Sequence, residues 1–401
     1  MTSSAGQLGF VIEAGEQPRR SPLARVRLDD VAATDRPTTL VDEATGDLVA
    51  TQFDPNTGEL VFVVPGEIPA GGSRTLSATD RVAEPAHPTD AVVKLDRAVL
   101  QVNGERFADY LVVGGRRPYF WPVLSSTGSS VVRGQGSADH PHHTGLAISY
   151  GGHSEDGSTN IWSDWDEPPY GPGGRMVHRG FRRVETGPVL GEIVQDLSYV
   201  NSDGDAFADE IRTIRWWWAD PDTRFLEFHS AISRVEDHGN GPFLLMARTP
   251  ESMGVPEVGR VTNSSQSATP DRVYRVEDRY RASWVDASGP SGGTPPAAPS
   301  GPPEDLPDLR SDAAEYRSVG EGPWHGIAVL DHPSNHGFPN VIGKYAMVQQ
   351  ITQSHYPPED APHGPFRFQQ RVLVHAGDGD HAAVPAAAED YAAPVSVRLT
   401  R

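Results

Sequence analysis

Short apolar or alternating runs separated by turn residues cover most of the chain, with the period of strands rather than of helices. Residues 24–28, 48–53 and 60–64 are three such runs near the start, with turn signals at Thr45-Gly46-Asp47 and Ala70-Gly71-Gly72. Asp54-Pro55-Asn56-Thr57-Gly58 joins two of them as a hairpin loop. Proline sets φ there, and Asn and Gly tolerate the backbone a tight reversal needs. Longer pairs follow. Residues 98–102 and 106–113 flank Asn103-Gly104, and residues 211–218 and 225–232 flank Asp220-Pro221-Asp222-Thr223. Residues 190–200, 326–330, 345–351 and 366–374 add further strands. In Trp216-Trp217-Trp218, alternation sends the middle indole to the opposite face, which predicts packing rather than a ligand platform. Only residues 380–391 read as a helix, with Pro385 arguing against it. Residues 83–90, with two prolines, predict a linker. Residues 287–308, dense in Gly, Pro and Ser, predict a surface loop. The expectation is an all-β protein: a small N-terminal β-domain with its linker over residues 1–95, then a large antiparallel β-sandwich over 96–401.

Composition sharpens this picture. The 41 glycines and 36 prolines in 401 residues suit many short strands and suit long helices badly. A formal charge of −20 argues against a nucleic-acid surface, which needs clustered Lys and Arg. Cysteine is absent, so disulfides and thiolate metal sites are excluded. Apolar stretches such as 61–64 and 243–247 are far too short for a membrane helix, and residues 1–10 lack a signal-peptide pattern; a cytoplasmic location is expected. No dinucleotide fingerprint, P-loop, nucleophile elbow or His-Glu-x-x-His motif is present. Hydride transfer, phosphoryl transfer and serine hydrolysis therefore have no support in the sequence.

Two loops stand out chemically. Asp139-His140-Pro141-His142-His143-Thr144-Gly145 places three of the chain's 15 histidines within four positions. Pro141 holds His140 extended, so His140 and His142 share one side and His143 takes the other. Imidazole titrates near neutrality and suits general acid–base work; the bland alternative is a polar loop satisfying its own backbone. Asp331-His332-Pro333-Ser334-Asn335-His336-Gly337 repeats the Asp-His-Pro triplet at a strand end. Asp331 there is a base or orienting group, and Asn335 a hydroxyl binder, or else the segment is an Asx-turn closing the strand. The two loops are expected to converge on one cleft, with Arg248 and His178 nearby. His142, His143 and Asp331 would be the catalytic groups; His140, Arg248, His332, Asn335, His178 and Trp162 would bind substrate. Trp162, Trp165 and Trp324 near Gly-rich segments could stack on a sugar ring or simply pack. Glu227 and His229 share a strand face and read as an ordinary polar pair. His140 and His142, with Asp331 or His178, leave room for a divalent metal, although the spacing matches no standard metal motif.

At these loops the sequence resembles a bacterial domain family labelled PmoA-like, of unknown function. The matching pieces are Arg117-Pro118-Tyr119-Phe120, Asp139-His140-Pro141-His142-His143, Gly174-Arg175-Met176-Val177-His178, Trp284-Val285-Asp286, residues 326–335 and Arg371-Val372-Leu373-Val374-His375, spread over 98–391. The label borrows the name of a membrane-bound methane mono-oxygenase subunit, a meaning that a chain without spanning segments does not carry. The family is similar to galactose-mutarotase-like β-supersandwiches, many of which act on sugars. The resemblance therefore implies a supersandwich and a small-molecule carbohydrate ligand, with no nucleic acid and no membrane. Residues 1–95 fall outside it, and oligomeric state is not specified. The expected function is His/Asp acid–base chemistry on a sugar or keto-sugar, of epimerase, hydrolase or lyase type. The alternatives are a non-catalytic carbohydrate-binding module and a structural β-protein.

Overall fold

The computed structural model describes residues 8–134, 144–151, 158–162, 164, 173–234, 243–254, 259–264, 282–291, 322–344, 347–352 and 366–400. Two eight-stranded sheets dominate. Sheet I runs in the order Thr89–Val93, Arg97–Val102, Glu105–Leu111, Tyr119–Val123, Leu146–Tyr150, Phe243–Arg248, Met347–Thr352, Val341–Lys344. Sheet II runs Arg175–Glu185, Gly191–Val200, Ala206–Asp220, Thr223–Arg234, Phe366–Ala376, Trp324–Asp331, Trp284–Pro290, Arg260–Asn263. Every pairing is antiparallel, as hairpin-joined strands allow. The all-β reading holds.

One continuous apolar core lies between the two sheets, built from alternate residues of each strand. Phe120 contributes from sheet I, stacked on Tyr110 at 4.5 Å, and meets Phe228 of sheet II edge-on at 5.7 Å. The tryptophan run behaves as alternation demands. Trp216 and Trp218 enter this core, while Trp217 faces the other way and stacks on Phe225 at 4.8 Å.

The N-terminal unit is a five-stranded sheet facing three- and two-stranded ones, around its own core of Phe10, Ile12, Leu40, Leu60, Phe62 and Leu76. It packs on the outer face of sheet II. Leu23 and Val61 join Trp217, Phe225, Leu330 and the helix residues Val384 and Tyr391. Gln52 fixes the joint, accepting from the Val189 and Leu190 amides at 3.1 and 3.0 Å and donating to the Leu190 carbonyl at 3.0 Å.

Strand pairing crosses the division expected at residue 95. Thr89–Val93 forms the edge of sheet I, so the strand begins inside the segment read as a linker. The last strand, Ser396–Thr400, pairs with Gly9–Glu13 and closes the N-terminal sheet. Residues 287–290, read as part of a loop, complete the strand Trp284–Pro290. The helix is Val384–Ala392. Pro385 occupies its first turn, where a missing N–H costs nothing.

Candidate functional site

The segment carrying His140, His142 and His143 lies outside the described residues, but both of its ends are described. They rise from the middle of sheet I. Arg133 donates its amide to the Arg248 carbonyl at 2.9 Å and accepts from the Gly145 amide at 2.9 Å. Arg248 in turn donates to the Gly145 carbonyl at 2.8 Å. Three backbone bonds thus pin the neck of the histidine segment to the end of the strand Phe243–Arg248. Two glycines make the fit. A Cβ on Gly134 would lie 2.9 Å from the Trp121 ring. Gly145 has φ +57°, and a Cβ there would lie 2.2 Å from the Phe120 carbonyl oxygen.

The strand face beneath this neck is turned away from the main core. Phe243, Leu245 and Ala247 enter that core, so Leu244, Met246 and Arg248 point to the other side. Ser149 pairs with Leu244 and shares that face. All four residues are buried. Ion-paired and hydroxyl groups gather beside them. Thr144, directly after His143, donates its hydroxyl to Asp164 Oδ2 at 2.9 Å. Arg117 Nη1 donates to Asp164 Oδ1 at 3.1 Å and to the Ile161 carbonyl at 3.0 Å. The Tyr119 ring is adjacent, since a Cβ on Gly115 would touch both Tyr119 Cε1 at 3.4 Å and Asp164 Oδ1 at 3.5 Å. Burial, reinforced by Asp164, pushes the Tyr119 phenol well above its usual range, so it stays a neutral donor. Arg116 reaches the Asn160 carbonyl at 3.4 Å, and Trp162 donates its amide to Asn160 Oδ1 at 2.8 Å.

The Arg248 backbone thus borders the neck of the histidine segment, and the Trp162 amide bonds to Asn160, whose carbonyl Arg116 reaches. Arg117 and Thr144 were quoted only within longer motifs and given no role, and Ser149 and Asp164 were not singled out. Their sequence signal is weak, because a lone Asp and a lone Arg gain meaning only when the fold joins them.

Asp331, His332, Asn335 and His178 meet partners of their own, and the convergence expected of the two loops involves histidines outside the described residues. In the strand Trp324–Asp331, Ile327 and Val329 enter the main core while Ala328 and Leu330 face the helix side. The same alternation puts Asp331 and His332 on opposite faces. Asp331 is buried, and its own loop fills its carboxylate. Oδ1 accepts from the His332 amide at 2.8 Å and from Asn335 Nδ2 at 2.7 Å, and Oδ2 accepts from the Asn340 amide at 2.8 Å. Burial raises its acid to about 6, against those hydrogen bonds. Asn335 ties the loop to the next strand, donating to the Gln369 carbonyl at 2.6 Å and accepting from the Gln369 amide at 3.0 Å. This geometry supports the turn-closing reading of Asp331 and Asn335. His332 sits against Tyr391 of the helix, ring centroids 5.0 Å apart, and its Nδ1 meets Ser334 Oγ at 2.8 Å. His178 lies on the edge strand of sheet II, where its Nδ1 accepts from Gln195 Nε2 at 2.6 Å. Burial lowers its pKa. Among the described residues, no three His, Asp or Glu side chains are grouped to hold a metal ion.

No curated protein matches the chain. Solved structures of similar shape include a protein of glycosyl hydrolase family 38 from Enterococcus faecalis, 10% identical, with a TM-score of 0.43. The alignment covers 98% of this chain and 47% of that one. An α-mannosidase from Enterococcus faecalis V583 is 9% identical with a TM-score of 0.45, over 98% of this chain and 46% of that one. The chain thus spans under half the length of both. A family model matches residues 97–389, nearly the region of the resemblance read from the sequence, though under another label. On that match the chain belongs to DUF6807, a family of unknown function.

Proposed function

We propose that the protein is a carbohydrate-active enzyme whose acid–base groups are His142 and His143, working over the buried face of sheet I. The observation that carries this reading is the mounting of the histidine segment. Three backbone hydrogen bonds and the Thr144–Asp164–Arg117 chain fix its neck on a buried polar face. A loop that served only its own backbone would gain little from such an anchorage. A catalytic loop needs its side chains held to within a fraction of an ångström. One imidazole takes a proton from a hydroxyl or an acidified C–H, and the other returns a proton to the ring or leaving oxygen. Epimerisation, hydrolysis and β-elimination of a keto-sugar share that proton traffic. In this reading Arg248 and Trp162 bind the sugar, offering charge-assisted hydrogen bonds and an apolar ring face. A divalent metal, where one takes part, draws its ligands from His140 and His142. The proposal places Asp331 outside the reacting set.

Mono-, di- and 3-keto-glycosides incubated with the purified protein, with and without divalent metal, and followed by NMR, test this. Turnover of at least one class is expected. Binding without turnover favours a sugar-binding module, and neither binding nor turnover favours a structural β-protein.

A further inference from the structure

Arg117 has two hydrogen-bonding edges, and among the described residues protein groups occupy only one. Its Nη1 is committed to Asp164 Oδ1 and the Ile161 carbonyl, and the side chain is buried. Nε and Nη2 are buried as well and have no hydrogen-bond partner among the described residues. Unmet buried donors of a charged group are costly, and native proteins seldom leave them without a ligand or an ordered water. The Nε–Nη2 edge is the fork that receives two oxygens of a carboxylate or phosphate side by side. Its far side is already clamped, so the fork is held in one orientation before any ligand arrives. Ser149 adds a buried hydroxyl that has no partner among the described residues, on the neighbouring strand face.

We propose that the Nε–Nη2 edge of Arg117 is an oxyanion receptor, so that the ligand of this face is an acidic carbohydrate bearing a carboxylate or a phosphate ester. The class of ligand rests on the carbohydrate reading above; the receptor does not. Asp164 is a positioning residue here, aiming the guanidinium without touching the ligand.

Calorimetric titration of the full chain at fixed ionic strength, with glucuronate, its methyl ester, glucose, glucose 6-phosphate and inorganic phosphate, tests the proposal. The expected result is at least tenfold tighter binding of the uronate or the sugar phosphate than of the ester and glucose. Whichever acid wins identifies the oxyanion. Arg117→Lys keeps the charge but removes the fork and is expected to erase the preference. The acid-against-ester comparison on the unaltered protein stands even if that variant fails to fold. Equal binding of acid and ester, no binding of any probe, or a preference that survives Arg117→Lys overturns the receptor. If acidic and neutral sugars bind equally and are turned over, the receptor fails while the carbohydrate reading stands. If inorganic phosphate binds through Arg117 as tightly as the sugar phosphate, the receptor stands and the carbohydrate reading fails.

Discussion

Gly145 shows how a single backbone position prepares the site. Its φ of +57° and the 2.2 Å approach of a built Cβ to the Phe120 carbonyl leave no room for a side chain directly after Thr144. Gly145→Ala is therefore expected to cost about 2 kcal/mol or more, through strain and displaced backbone. Urea denaturation would show it, together with a changed near-ultraviolet signal from the adjoining Tyr119 and Trp121. Asp331 offers a second test at this scale. Its carboxyl is raised to about 6 in the folded chain, from an ordinary 3.8. Between those values the unfolded chain gives up a proton that the folded chain keeps, so this group lowers stability as pH rises from 3.8 through 6. Asp331→Asn should flatten that part of the urea-midpoint profile; an unchanged slope would show that the carboxyl does not titrate there. The histidine-rich loop was legible in the sequence because three imidazoles in four positions need no fold to be noticed. The repeated Asp-His-Pro triplet suggested a convergence whose histidine-rich side lies outside the described residues. Arg117, Asp164 and Ser149 had no such signature.

Strands bring partners together that no spacing reveals. On the outer face of sheet II, Arg183, Glu192, Arg215, Glu227 and Arg371 come from five neighbouring strands and alternate in sign. Arg215 Nε lies 2.7 Å from Glu192 Oε2, and Arg371 Nη2 lies 2.6 Å from Glu227 Oε2. Helix Val384–Ala392 extends the row, with Asp390 Oδ2 3.8 Å from Arg371 Nη1. Burial alone would raise the Glu227 acid. Arg371 foremost, with His229 hydrogen-bonded at 2.9 Å, holds it well below the usual carboxylate range instead. Glu227→Gln removes the nearest counter-charge of buried Arg371, leaving it only Asp390 at 3.8 Å, and about 3–5 kcal/mol of stability should be lost. A loss below about 1 kcal/mol, the scale of an exposed pair, would show the row to be solvated in practice. Strand alternation put Glu227 and His229 on one face as an ordinary polar pair, in agreement with their 2.9 Å contact. The arginines that complete the row sit far away in the chain and were invisible to a local pattern. Hairpins were the best-read elements, because Asn103-Gly104 and the Asp220–Thr223 turn carry their own backbone requirements. The C-terminal helix was legible too, and Pro385 argues against a helix only when placed in its interior.

At the scale of the molecule, the two ends of the chain meet in one sheet. Ser396–Thr400 covers the edge of Gly9–Glu13 and brings Val395, Val397 and Leu399 to the N-terminal core. Removal of residues 395–401 should therefore loosen the N-terminal unit first, since an uncovered edge and a depleted core fall together. Limited proteolysis would show early cuts between residues 9 and 78 with the two large sheets still protected; an unchanged digestion pattern would refute the closure. Two β-layers around one core were readable from strand density, but which end of the chain completes which sheet was not, because sheet order depends on long-range pairing. The proposed chemistry sits over sheet I, at the segment held by Gly134, Thr144 and Gly145, and not at the histidines on sheet II. Turnover of the best substrate by His142→Ala and by His332→Ala, each with its urea midpoint, tests this most directly. The account predicts that His142→Ala loses at least a hundredfold in kcat with its midpoint unchanged, in line with the loss of a general acid or base of roughly 10²–10⁴-fold, while His332→Ala retains full activity. Full activity in His142→Ala, or equal losses in both variants, would contradict it.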